Sequence, residues 1–123
     1  MAIIDSAAII HILEGTQEGE SIKERYKEEI TTTTTICFHE VLADLWPPKR
    51  VRAMRLFSQL EIVAYDKDAA EKSIEIEEQL KKKGRKINRT DIFIAGICRV
   101  KNMPLITTDK DFLEIEGLKV LMP

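Results

Sequence analysis

The sequence predicts an α/β fold with a largely parallel sheet, and three observations carry that prediction. Short β-rich runs alternate with longer helix-patterned segments, no internal repeat or linker interrupts them, and 44% of the residues are hydrophobic, enough for a real core. A chain of 123 residues favours one domain, here residues 1–123.

The elements follow in order. "AII" (Ala2 to Ile4) is a short apolar run, expected as a buried strand. "SAAIIHILEG" predicts a helix that stops at Gly15, and "EGESIKERYKEE" a charged amphipathic helix. The β-branched "ITTTTTICF" predicts a strand, one of whose threonines can cap the next helix. "CFHEVLADLW" has helical spacing. Pro47 and Pro48 end it and can open "PKRVRAMRLFSQL". "EIVAY" is a strand, and Asp66 can cap the long helix "KDAAEKSIEIEEQLKKK", which ends at Gly84. Thr90 can cap "DIFIAGICRVKN". "MPLITT", "DKDFLEI" and "LKVLM" then predict a strand, a short helix and a last strand.

Composition excludes several classes. No apolar run approaches the ~18 residues of a membrane span. "MAIIDS" has no basic n-region, so no signal peptide is expected. Cys37 and Cys98 lie among apolar neighbours, form no CxxC or zinc spacing, and predict buried thiols in a reducing, cytoplasmic setting. The net charge of −2 argues against a general nucleic-acid binder, but "KRVRAMR" (Lys49 to Arg55) and "KKKGRKINR" (Lys81 to Arg89) are locally basic. The second stretch offers Lys82, Lys83, Arg85, Lys86 and Arg89 as backbone-tracking residues, or simply a solvated helix end.

Four carboxylates break the folding pattern. Asp5 follows the first strand at once, Asp91 opens an apolar helix, Asp109 follows "PLITT", and Glu40 sits among apolar residues at helical spacing. Each has a local use as a cap, a turn former or a partner for a base. Together they suggest another. In an open parallel sheet the carboxyl ends of the strands face one crevice. Carboxylates gathered there stay ionised only around a cation, and an all-oxygen ligand set suits Mg²⁺ or Mn²⁺. His11 and His39 read as bystanders, and Trp46 and Tyr65 as core or interface residues.

These residues resemble the PIN-domain ribonucleases, most closely the VapC-type toxins of toxin–antitoxin pairs. "IIDSAAIIHILEG" resembles the family's opening strand, first aspartate and apolar helix. "TTTTTICFHEVL" resembles the glutamate-bearing segment. "NRTDIFIAGICRVKNMPLITTDKDFLEIEGLKVL" resembles the closing block. The resemblance spans nearly the whole chain. It implies a three-layer α/β/α PIN-like fold with a mostly parallel sheet, and RNA cleavage that leaves a 5′-phosphate and a 3′-hydroxyl. It makes Asp5, Glu40, Asp91 and Asp109 the catalytic and metal-ligating positions, with Ser6, Thr107 and Asp111 supporting them. It also implies a small antitoxin partner and a homodimer. One departure is Cys37, where the family often has Ser or Thr.

Rival readings are an inert PIN-like RNA- or protein-binding module and a housekeeping RNA-processing nuclease. A haloacid-dehalogenase-like enzyme needs a second aspartate where Ala7 stands. No GxxxxGK[ST] phosphate loop or Rossmann glycine pattern is present.

Overall fold

The computed structural model describes residues 1–123. Five strands, β1 (Ala2–Ile4), β2 (Ile30–Thr34), β3 (Glu61–Val63), β4 (Leu105–Ile106) and β5 (Val120–Leu121), form one sheet in the order β3-β2-β1-β4-β5. Every pairing is parallel. The helices are α1 (Ser6–Glu14), α2 (Gln17–Arg25), α3 (Thr35–Asp44), α4 (Arg50–Phe57), α5 (Lys67–Lys82) and α6 (Arg89–Lys101).

The strand order fixes the layers. The chain steps from β1 to β2 to β3, then returns past β1 to β4. With right-handed crossovers, the α1/α2 and α5/α6 connections must then cover opposite faces. That gives the expected α/β/α sandwich. β1 lies at the centre and is buried throughout, as a strand covered on both faces should be. Ile3, Ile4, Leu105 and Ile106 fill the core with Ile9, Ile22, Phe57 and Phe112. Burying each such side chain contributes roughly 1.5–3 kcal/mol.

Several elements differ in extent from expectation. β2 stops at Thr34, because that side chain accepts a hydrogen bond from the Cys37 N–H at 3.1 Å and so opens α3. "MPLITT" pairs only over Leu105–Ile106, and "DKDFLEI" is a 3-10 helix over Lys110–Glu114. The Pro47–Pro48 pair forms a 3-10 turn before α4. The cap of α6 is Asn88, whose side chain accepts from the Thr90 N–H at 3.4 Å; Thr90 itself lies inside the helix.

α5 and α6 run antiparallel at close range. The Ser73 hydroxyl donates to the Ala69 carbonyl at 2.8 Å and lies 3.3 Å from the Ile92 carbonyl. Gly96 presses on it: a Cβ there would stand 2.1 Å from Ser73 Oγ. Cys37 and Cys98 are free and buried. Trp46 is 69% exposed, so it is not a core residue, whereas Tyr65 packs its ring on Phe93 at 4.7 Å between centroids. No helix is long and apolar enough to cross a membrane.

Candidate active site

Register brings the first two site residues together. Ile4 pairs with Ile106, so the next residues, Asp5 and Thr107, leave adjacent strands side by side. The Thr107 hydroxyl donates to Asp5 Oδ2 and accepts from the Asp109 N–H at 2.9 Å. One buried hydroxyl thereby fixes both aspartates of the β1 and β4 ends. The other Asp5 oxygen accepts from the Ala8 N–H at 2.9 Å. Asp5 is therefore a helix cap as well as a crevice residue, and the two roles use different oxygens.

Glu40 arrives from α3. Its Oε1 accepts from the Ser6 hydroxyl at 2.6 Å, so the residue after Asp5 holds the α3 carboxylate against the β1 end. Thr33 donates to the Ile4 carbonyl at 2.8 Å and locks β2 to the same point. Asp91 stands at the third position of α6, where a capping-box carboxylate would fold back onto the cap residue. Instead its carboxylate makes no hydrogen bond and lies within reach of the charges of Asp109, Glu40 and Asp111, which is the more telling because its helix already has a cap in Asn88. Asp109 accepts from the Asp111 N–H at 2.9 Å and starts the 3-10 helix. Asp111 itself is exposed.

The electrostatics describe one negative crevice. Burial pushes the Asp5 carboxyl from an ordinary 3.8 up to about 7; the Thr107 and Ala8 hydrogen bonds oppose this, while the charges of Asp91 and Asp109 add to it. Asp91 rises to about 6, through partial burial first and then the charges of Asp109, Glu40 and Asp111. Burial also pushes the Cys37 thiol up, with Asp5 contributing. Every carboxylate in a set of eight ion pairs lies elsewhere: none involves Asp5, Glu40, Asp91, Asp109 or Asp111. A buried acid with like-charged neighbours and no cationic side chain is costly for folding alone.

The donor set is thus all oxygen and uncompensated, which fits a hard divalent cation. The side chains do not, however, form a closed cage. Nowhere do three His, Cys, Asp or Glu side chains stand close enough to grip one ion as they lie. They nonetheless lie within electrostatic reach of one another: the charges of Asp91 and Asp109 act on Asp5, and those of Asp109, Glu40 and Asp111 act on Asp91.

The basic stretch is less free than its sequence suggests. Lys83 pairs with Glu116 at 2.6 Å, Arg85 with Glu114 at 3.4 Å, and Arg89 with Glu77 at 2.9 Å. Of the five candidates, only Lys82 and Lys86 have no acidic partner. Thr34, one of the threonines expected to cap the next helix, orients the helix carrying Glu40, while Asn88, which sequence reading missed, orients the helix carrying Asp91. The "NRTD" spacing of a capping box was the available signal for Asn88.

Comparison with known proteins now has a geometry to meet. A family model described as PIN domain matches residues 2–118. The ribonuclease VapC5 of Mycobacterium tuberculosis is 25% identical over 122 residues, covering 94% of this chain and 87% of its own length. Among solved structures, VapBC2 of Rickettsia felis, bound to a DNA fragment from its promoter, superposes with a TM-score of 0.84 at 17% identity, covering 98% of this chain and 96% of that one. VapC20 of M. tuberculosis, a toxin that cleaves the sarcin-ricin loop, superposes with a TM-score of 0.76 at 15% identity over the full length of both chains.

Proposed function

The chain belongs to the PIN-domain family, and from that premise we propose that it is a VapC-type endoribonuclease dependent on Mg²⁺ or Mn²⁺. The observation that carries the reading is the crevice itself: four carboxylates from four separate segments, two with raised proton affinity, and no cationic side chain among them. Asp5, Asp91 and Asp109 would hold the metal, with Glu40 as a further ligand or as the group that orients water. A metal bound there would lower the pKa of a coordinated water and stabilise charge on the phosphate.

The chain's own residues supply the positioning. Ser6 occupies Glu40 Oε1, which leaves Oε2 to accept a hydrogen bond from an attacking water. Thr107 fixes the Asp5 rotamer and, through the Asp109 N–H, the turn after β4. The resemblance to the PIN-domain ribonucleases implies that cleavage leaves a 5′-phosphate and a 3′-hydroxyl.

The same reading makes residues 1–123 one PIN domain that works in the cytoplasm, which suits two buried free thiols. It pairs the chain with a small antitoxin, as in the VapBC complexes that share its fold. It also gives it a homodimer, for which exposed Trp46, Val51 and Met54 are candidate contacts.

The test is RNA cleavage in Mg²⁺, Mn²⁺ and EDTA by the wild type, Asp5→Asn and Asp91→Asn. Cleavage that needs metal and is lost in both variants is the expected result. Activity that survives EDTA, or variants that cut normally, would refute the proposal. A folded, metal-binding wild type that cuts nothing would make it an inert module.

A further inference from the structure

Beside the acidic crevice lies a second concavity that the proposed chemistry does not use. It is an open cavity of about 430 Å³ between the C-terminal turn of α5, the loop that follows it and the first turn of α6. Leu80 and Ile92, each 3% exposed, and half-buried Ile87 give it an apolar floor. Arg85, Lys86 and Asn88 stand on its rim, all exposed. On the far wall, Glu77 and Arg89 neutralise each other through two contacts, at 2.9 and 3.3 Å.

Its place relative to the crevice follows from α6. The Asn88 carbonyl accepts from the N–H groups of Asp91 at 3.0 Å and Ile92 at 3.2 Å. Asp91 and the cavity wall thus share one helical turn, about 5 Å long. The cavity therefore adjoins the helical turn that carries Asp91, its lining including Asn88, Arg89 and Ile92 on either side of that residue in sequence.

The lining also says what would enter. A lone phosphate would use the rim cations but not the apolar floor, and Glu77 stands in the same wall. A nucleobase has two apolar faces for Leu80, Ile87 and Ile92, and acceptors on its edge. The Asn88 Oδ1 is turned to Thr90, which leaves the amide N–H₂ without a protein acceptor and free to donate. Lys86 has no acidic partner, and the Arg85 contact to half-buried Glu114 is a long 3.4 Å, so both can meet the adjoining phosphate. We propose that this cavity receives one unpaired base of the RNA next to the scissile phosphate, with Asn88 reading its edge. The inference rests on the ribonuclease reading and assigns that site its sequence selectivity.

The experiment uses the full chain and a randomised pool of short single-stranded RNA, with cut sites mapped by sequencing. Three variants probe it: Asn88→Asp, which keeps the α6 cap but replaces the amide donor by an acceptor; Ile87→Trp, which fills the floor; and Lys86→Glu. Base preference beside the cut is a ratio within one enzyme, so it is independent of overall rate. Asn88→Asp and Ile87→Trp should change that ratio by at least about fivefold. Lys86→Glu should weaken binding of labelled single-stranded RNA in EDTA and make its log–log salt dependence shallower by about 0.7. A wild type that cuts with no preference, or variants that keep the wild-type preference, overturns the subsite and leaves the nuclease standing. A wild type that neither binds nor cuts RNA overturns both.

Discussion

Replacing Asp5 by Asn should stabilise the metal-free protein at neutral pH while abolishing its activity. Burial and like charge raise the Asp5 carboxyl from 3.8 to about 7. The folded state therefore binds this proton more tightly than the unfolded chain does. The stability it brings is fully present below the unfolded value and is lost as pH rises through about 7. At about 1.4 kcal/mol per tenfold change in proton affinity, holding Asp5 ionised above pH 7 costs the fold about 4 kcal/mol. Asparagine keeps the cap, since its Oδ1 can accept from the Ala8 N–H. Its amide must donate to the Thr107 hydroxyl instead of accepting from it, at a cost of about 1 kcal/mol. The balance is a gain of about 3 kcal/mol, or roughly 10 °C in Tm for a domain of this size. The assay is thermal unfolding in EDTA from pH 4.5 to 8. Wild-type stability should fall across that range more steeply than that of Asp5→Asn, and Mn²⁺ should restore it at pH 7.5 in the wild type alone. An Asp5→Asn variant less stable than the wild type at pH 7.5 in EDTA would refute the reasoning.

Other perturbations separate positioning from packing. Ser6→Ala frees Glu40 Oε1 and should cut RNA cleavage about 10–100-fold with little change in Tm, measured by initial rates alongside unfolding. Gly96→Val forces a side chain onto Ser73 Oγ and should cost about 1–3 kcal/mol in urea unfolding, with no direct effect on metal binding. Below pH 4.5 the sign reverses at the surface: Glu75, Glu77 and Glu116 are held below their ordinary values by Lys72, Arg89 and Lys83, so they lose stabilisation as pH falls. Metal-free protein should accordingly be most stable at mildly acidic pH, which circular dichroism across pH would show.

Much of the fold was legible because local signals agreed with one another. "AII" followed by an aspartate marks a buried strand ending at a polar edge, and that is where Asp5 stands. The threonine run reads as strand plus cap, and Thr34 serves as both. The strand order was not legible, because a parallel pairing such as Ile4 with Ile106 joins residues far apart in sequence. Asn88 was passed over for Thr90 because either residue can cap, and only the backbone turn decides. The acidic partners of the basic stretch were not legible either, because they are distant in sequence. Glu114 and Glu116, which pair with Arg85 and Lys83, come from the far side of β4. For the carboxylates the local reading and the functional one proved compatible: Asp5 and Asp109 cap helices with one oxygen and face the crevice with the remainder.

Binding of Mn²⁺ to the purified chain at pH 7.5, followed by electron paramagnetic resonance in the absence of RNA, addresses the crevice most directly. The wild type should take up the ion, Asp91→Asn should hold it at least about tenfold more weakly, and Lys82→Ala should bind as the wild type does. Equal uptake by the wild type and Asp91→Asn would mean that these acids do not share a cation, and the nuclease assignment would lose its physical basis.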